Sequence, residues 1–201
     1  MCSSVCRLAF VLSLVVAVES DADVISSDDA VFGTDALTVD TEQGLEFLDL
    51  NWTTSRTVNM ISGEFGVGGD FEGFRRASAD EVLTMISNAG FDTPALGMGI
   101  TIPPSTAFRD FVNMTGVVGG IGGIRFSRGL VTDAPAPGRS YFVALEDFTG
   151  ANQHDIITTE ISAANNESSG SIGHWIVRDV PAPGALSLLG FCGLVGVRSR
   201  R

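Results

Sequence analysis

Ala36-Leu37-Thr38-Val39-Asp40, Thr41-Glu42-Gln43-Gly44, Leu45-Glu46-Phe47-Leu48-Asp49-Leu50 reads as two strands joined by a turn. The first run is rich in β-formers, and the polar tetrapeptide ends on a glycine. In the second run Leu45 and Phe47 share one face, while Glu46, Leu48 and Leu50 share the other. A period of two with apolar residues on both faces predicts a strand with a mixed second face, hence a hairpin inside a sheet.

Working outward, the segment after this hairpin is helical. Ser78-Ala79-Asp80-Glu81 is a capping box, and Val82, Met85 and Ile86 recur at helical spacing before Gly90. That pattern predicts a helix over 78–89 with a core-facing stripe. A short helix is expected over 53–62, with Val58 and Ile61 facing in, and another over 106–113, carrying Phe108, Phe111 and Val112. Residues 63–73 read as a glycine-rich loop without the lysine and strand–loop–helix context of a phosphate cradle. Residues 116–123 hold five glycines and read as loop or irregular strand, residues 130–138 as loop and 163–171 as polar loop. Further strands are expected over 140–145, 155–161 and 173–180; in the last, His174, Ile176 and Arg178 alternate with Trp175, Val177 and Asp179. The expectation is an α+β fold: a single domain over 23–179 with a mainly antiparallel sheet and two or three helices.

Two apolar helical targeting segments flank that domain. Residues 1–22 read as a secretory signal: Arg7 is the positive n-region, Leu8 to Val18 the apolar stretch, and Ser20 and Ala22 offer small residues for cleavage. A run of eleven residues reaches only about 16 Å as a helix, short of a bilayer core. The other end, residues 180–201, runs Val180-Pro181-Ala182-Pro183-Gly184, then a largely apolar run of thirteen residues from Ala185 to Val197, then Arg198-Ser199-Arg200-Arg201. That run is also shorter than a lasting span, and its terminal arginines favour the cytoplasmic side. The expected state is exported, with transient insertion in the membrane through the tail.

This order of turn motif, Leu188-Leu189-Gly190 core and basic end resembles the PEP-CTERM sorting signal, also known as the ice-binding-protein C-terminal domain, a label that implies no ice binding. Family members usually carry Glu where this chain has Ala182. The resemblance implies sorting through Val180, Pro181, Ala182, Pro183, Gly184, Arg198, Arg200 and Arg201. It also implies an exosortase-type processing enzyme as a partner, in bacteria that make exopolysaccharide. A second resemblance rests on the 40–50 hairpin, Gly73-Phe74-Arg75-x-Ala77-Ser78-x-x-Glu81-Val82 and His174-Trp175-x-Val177-Arg178-Asp179. These segments are similar to an ectodomain recurring in PEP-CTERM proteins and, more distantly, to the Lcl-type C-terminal domain. That likeness implies a C-type-lectin-like fold and no settled activity.

Between Asp23 and Val180 there are 22 acidic residues against eight arginines, a net charge of −14, and no lysine. Such a surface repels nucleic acid and anionic headgroups. Cys2, Cys6 and Cys192 all lie in the flanks, so the exported domain has neither disulfide nor thiol nucleophile. The two histidines, His154 and His174, and the carboxylate pair Glu146-Asp147 form no recognisable catalytic motif, and no Gly-x-Ser-x-Gly elbow or EF-hand loop occurs. No catalytic residue, metal or cofactor is expected. The leading expectation is a non-enzymatic protein of the cell envelope or extracellular matrix, with exopolysaccharide as a partner. A carbohydrate-binding module is the alternative, and an envelope hydrolase trails. Trp52, Tyr141 and Trp175 are the candidate glycan contacts where their rings face solvent; the other reading places them in the core.

Overall fold

The computed structural model describes residues 23–148 and 154–180. The chain runs β1 (Val24–Asp29), β2 (Gly33–Asp40), β3 (Leu45–Leu48), a 3-10 turn (Leu50–Thr53), α1 (Val58–Gly63), β4 (Arg75–Arg76), α2 (Ala79–Asn88), β5 (Gly99–Ile102) and α3 (Thr106–Met114). It continues through β6 (Gly119–Ile121), β7 (Ile124–Leu130), β8 (Arg139–Asp147), β9 (Asp155–Thr158), β10 (Ser162–Ala164), β11 (Gly173–His174) and β12 (Ile176–Asp179). Among the described residues the class is α+β, with mostly antiparallel strands and three α-helices. The described residues form two sheets where the sequence suggested one. The first is ordered β1-β2-β3-β12-β4; the second is ordered β11-β7-β8-β9-β5, with β10 paired to β8 and β6 to β7. The β11–β7 pair is parallel; the other pairs are antiparallel.

The quoted hairpin forms as β2 and β3, in register Leu37↔Leu48 and Asp40↔Leu45. Asp40 holds the turn, its carboxylate accepting the backbone N–H of Glu42 and Gln43. The mixed second face has a physical reason: this sheet is covered on both sides. Phe47 and Val177 meet α2 and α3 in the main core, whereas Leu37, Val39, Leu48 and Ile176 pack with Ile61, Phe71 and Phe74 in a second cluster. The capping box at Ser78 and Glu81 is present, and Val82, Met85 and Ile86 of α2 are fully buried.

The last strand is corrected from one element to two. Residues 173–174 pair with β7 of the second sheet, and residues 176–179 pair with β3 of the first. Trp175 stands at the crossing. Its N–H donates to Leu130, its carbonyl accepts from Ala77, and its indole Nε1 donates to the Val143 carbonyl at 3.0 Å. The ring lies against β7 at Gly129; a Cβ there would come within 2.7 Å of the indole Cδ1, so only glycine permits this contact. Five strands escaped the sequence reading. β1 is mostly polar, β4 and β10 span only two and three residues, β5 spans four, and β7 interleaves arginine, serine and glycine with its apolar positions.

Both chain exits lie at one pole of the first sheet. Asp23 exchanges hydrogen bonds with Thr41, and the Val180 N–H donates to Gly44, so both ends leave beside the β2–β3 turn. The β1–β2 loop and the 3-10 turn lie at the opposite pole, roughly 23 Å away by the rise along β2. The sorting-motif residues from Pro181 onward and the two apolar flanks lie outside the described residues. Among the described residues no helix is long and apolar enough to cross a membrane.

Candidate functional site

At the pole away from the chain exits, the β1–β2 loop, the 3-10 turn and the glycine-rich loop enclose a cleft of about 580 Å³. Its aromatic wall is built in tiers. Phe71 and Phe74 are buried in the second cluster. Phe32 covers them, stacked on Phe71 at 5.9 Å between ring centres and edge-on to Phe74 at 6.1 Å. Trp52 stands edge-on to Phe32 at 5.4 Å and is 44% exposed. Half-buried aromatic rings with a fixed underside expose a flat apolar face at little entropic cost.

Local sequence explains how Trp52 is presented. It lies in a 3-10 turn, where positions three apart eclipse. Leu50 and Thr53 point inward, and the Thr53 hydroxyl accepts the His174 N–H at 2.8 Å, which leaves Trp52 facing out. Phe32 is held by Asp29, whose carboxylate accepts the N–H of Val31 at 2.7 Å and of Phe32 at 3.0 Å. Gly69 closes the third side; a Cβ there would lie 2.2 Å from the Glu64 carbonyl oxygen, so the loop can fold this tightly only with glycine.

The polar groups of the cleft are set in ion pairs. Arg56 pairs with Asp70 at 2.8 Å and lies over the Phe71 ring at 4.9 Å. Arg178 bridges Asp29 at 2.7 Å and Glu46 at 2.6 Å, and lies over Phe74 at 4.7 Å. Burial alone would push the Asp29 carboxyl up, but the N–H groups of Phe32 and Val31 and the Arg178 guanidinium outweigh it and hold the carboxyl below the usual range. Burial alone would likewise pull Arg178 down; its bonds to Glu46 and Asp29 outweigh that and raise it. These groups are therefore charged, oriented donors and acceptors beside an aromatic face, the usual make-up of a site for a polar small molecule or chain.

Two buried titratable groups bracket the turn that carries Trp52. Asp49, at its start, is 8% exposed; burial and, secondarily, Asp35 raise its carboxyl to about 7. His174, beneath its end, is fully buried, with Nε2 2.9 Å from the Arg56 carbonyl. Burial is the first cause that lowers it to about 4, with Arg76 and Arg56 adding to the effect against the bond to the Arg56 carbonyl. The imidazole is therefore neutral at pH 7, and its Nε2–H donates.

The three candidate glycan contacts are not gathered in one place. Trp52 is in the cleft. Tyr141 is half-buried on β8 against the main core. Trp175 is fully buried and presents no face to a ligand, which corrects its candidacy. Glu146 and Asp147 project from opposite faces of β8, Glu146 bonded to Arg128 at 2.6 Å and the fully buried Asp147 to Arg109 at 2.9 Å. His154 is exposed whereas His174 is in the core, and among the described residues no cluster of three or more ligating side chains is arranged for a metal. Phe32, Phe71, Arg56, Asp29 and Asp70 were not singled out from the sequence. Their one signal was aromatic residues without strand or helix period beside glycines, at Phe32-Gly33 and Gly69-Asp70-Phe71. No protein-family model, curated protein or solved structure significantly matches the chain.

Proposed function

We propose that this is an exported, non-catalytic protein of the cell envelope or exopolysaccharide matrix, and that its domain binds saccharide through the Trp52 cleft. The observation that carries the reading is Trp52 itself: an indole exposed at 44%, braced edge-on by Phe32 and flanked by ion-paired arginines. A pyranose ring sets its C–H face on such an indole, while its hydroxyls bond to fixed carboxylates and guanidiniums. A C-type-lectin-like fold, suggested by the 40–50 and 174–179 segments, accords with a sugar-binding role. The tail implies sorting by an exosortase-type enzyme at the membrane. Because both chain ends leave at the pole opposite the cleft, a domain held by its tail would present the cleft outward.

Intrinsic fluorescence tests the binding. Trp52 and Trp175 are the chain's two tryptophans, and Trp175 is shielded in the core. Saturable change on adding oligosaccharide, with binding measured by calorimetry lost in Trp52→Ala without loss of fold by circular dichroism, is the expected result. Losing a central stacking ring should weaken binding by about 1–3 kcal/mol, or roughly five- to 150-fold. A Trp52→Ala protein that binds as tightly as the native one would refute the reading. Sorting is tested separately by deleting residues 181–201, which spares the Val180 bond to Gly44. We expect the truncated protein to lose its normal surface retention; unchanged retention would remove the tail from the account.

A further inference from the structure

The charge arrangement of the cleft points to the class of saccharide it takes. Resting on the saccharide-binding reading above, we propose that the cleft selects chains without acid groups, uncharged hexose or N-acetylhexosamine polymers, and rejects uronate or sulfated ones. Recognition of a uronate needs a guanidinium or ammonium free to face the carboxylate, and arginine does this with a two-pronged grip. Both arginines that line this cleft are already engaged. Arg178 bonds Asp29 through one nitrogen and Glu46 through another, with its plane on Phe74. Arg56 bonds Asp70 and lies on Phe71.

The remaining charge in the cleft is negative. Asp29, Asp70 and Glu72 line it against two arginines, and the domain around it carries a net −14. An acid-bearing chain entering here would have to break an arginine–carboxylate pair or leave its own carboxylate unpaired beside others. The first is costly at the Arg178–Asp29 pair, whose carboxylate is buried, and less so at the more exposed Arg56–Asp70 pair; the second is unfavourable beside Asp29, Asp70 and Glu72. A neutral sugar meets neither penalty. Its hydroxyls donate to the outward lone pairs of the carboxylates, and its apolar face covers Trp52.

Three hexasaccharides separate the outcomes: chitohexaose, cellohexaose and oligomannuronate, titrated against the full chain and read by tryptophan fluorescence, with calorimetry for the Trp52→Ala protein. We expect saturable binding of at least one uncharged chain, with oligomannuronate weaker by about tenfold or more at low salt. In Asp70→Asn the Arg56 guanidinium is released, and affinity for oligomannuronate should rise by about tenfold. Oligomannuronate binding as tightly as the uncharged chains in the native protein, and lost in Trp52→Ala, would overturn the charge class while leaving the site intact. So would an Asp70→Asn protein with no gain for the uronate. If none of the three perturbs the fluorescence and none binds by calorimetry, the saccharide-binding reading itself falls, and this inference with it.

Discussion

Trp175→Ala should lower the stability of the domain by about 4 kcal/mol, close to the limit of what a single substitution does in a folded core. The ring is fully buried and packs edge-on to Phe47 at 6.5 Å. Its loss opens a cavity where the two sheets meet and strips the Val143 carbonyl of its indole donor. The cavity and the lost indole hydrogen bond act in the same direction. A domain without disulfides holds only about 5–15 kcal/mol in total. Chemical denaturation followed by circular dichroism should show a lower midpoint with an unchanged slope. Trp175→Phe, which keeps most of the volume and loses the N–H, should fall between. Trp52→Ala removes a ring of the same size from the surface and should cost under about 1 kcal/mol. Equal losses at the two tryptophans would contradict the placement of Trp175 as the joint between sheets.

Asp49→Asn should stabilise the domain by up to about 4 kcal/mol above pH 7. Among the described residues the Oδ1 atom of Asp49 has no hydrogen-bond partner, and the side chain is wedged against Gly116. Its folded value of about 7 lies above the ordinary 3.8, so the folded state holds the proton more tightly than the unfolded chain. The stability this contributes is complete below pH 3.8 and is lost as pH rises to about 7. His174 works in the opposite sense. Its folded value of about 4 lies below the ordinary 6.5, so stability is complete above pH 6.5 and is lost as pH falls to about 4. The two effects, about 4 and about 3 kcal/mol, overlap in the same pH range and nearly cancel. The native protein should therefore show little pH dependence from these two groups between pH 4 and 7. Asp49→Asn should unmask the histidine, with stability falling by about 3 kcal/mol on acidification from pH 7 to 4. Thermal midpoints across that range check both parts. A variant no more stable than the native protein at pH 8, or one with the same pH profile, would show that Asp49 is not held protonated by burial.

The turn bracketed by these two groups also carries Trp52, so folding and the candidate site share a substructure. Leu50 and Thr53 anchor the turn, and the His174 backbone bonds Thr53. Substitutions at Asp49 or His174 therefore need a fold check before any change in binding is read. Trp52→Ala and Asp70→Asn lie on the solvent side of the turn and of the glycine-rich loop, and are the cleaner probes.

Local rules were sufficient for the helices 79–88 and 106–114 and for the hairpin 33–48. A capping box, an apolar period of 3.6 and a polar turn ending in glycine depend on neighbours within a few positions, and such signals survive in one dimension. The charge excess and the confinement of cysteine to the flanks are likewise sums over residues that need no coordinates. The split of residues 173–179 between two sheets could not be read this way. The alternation of His174, Ile176 and Arg178 is that of one strand, and the break depends on Leu130, Ala77 and Val143 converging on Trp175 from distant positions. The cleft is of the same kind. Phe32, Trp52, Phe71 and Phe74 are spread over some forty residues, and Arg178 lies more than a hundred residues further on. The exposure of Trp52 and the burial of Trp175 have no local signature, because an aromatic residue gains by packing wherever a partner is in reach. Which indole meets solvent was set by long-range closure of the chain, and so was the pairing that leaves neither arginine of the cleft free.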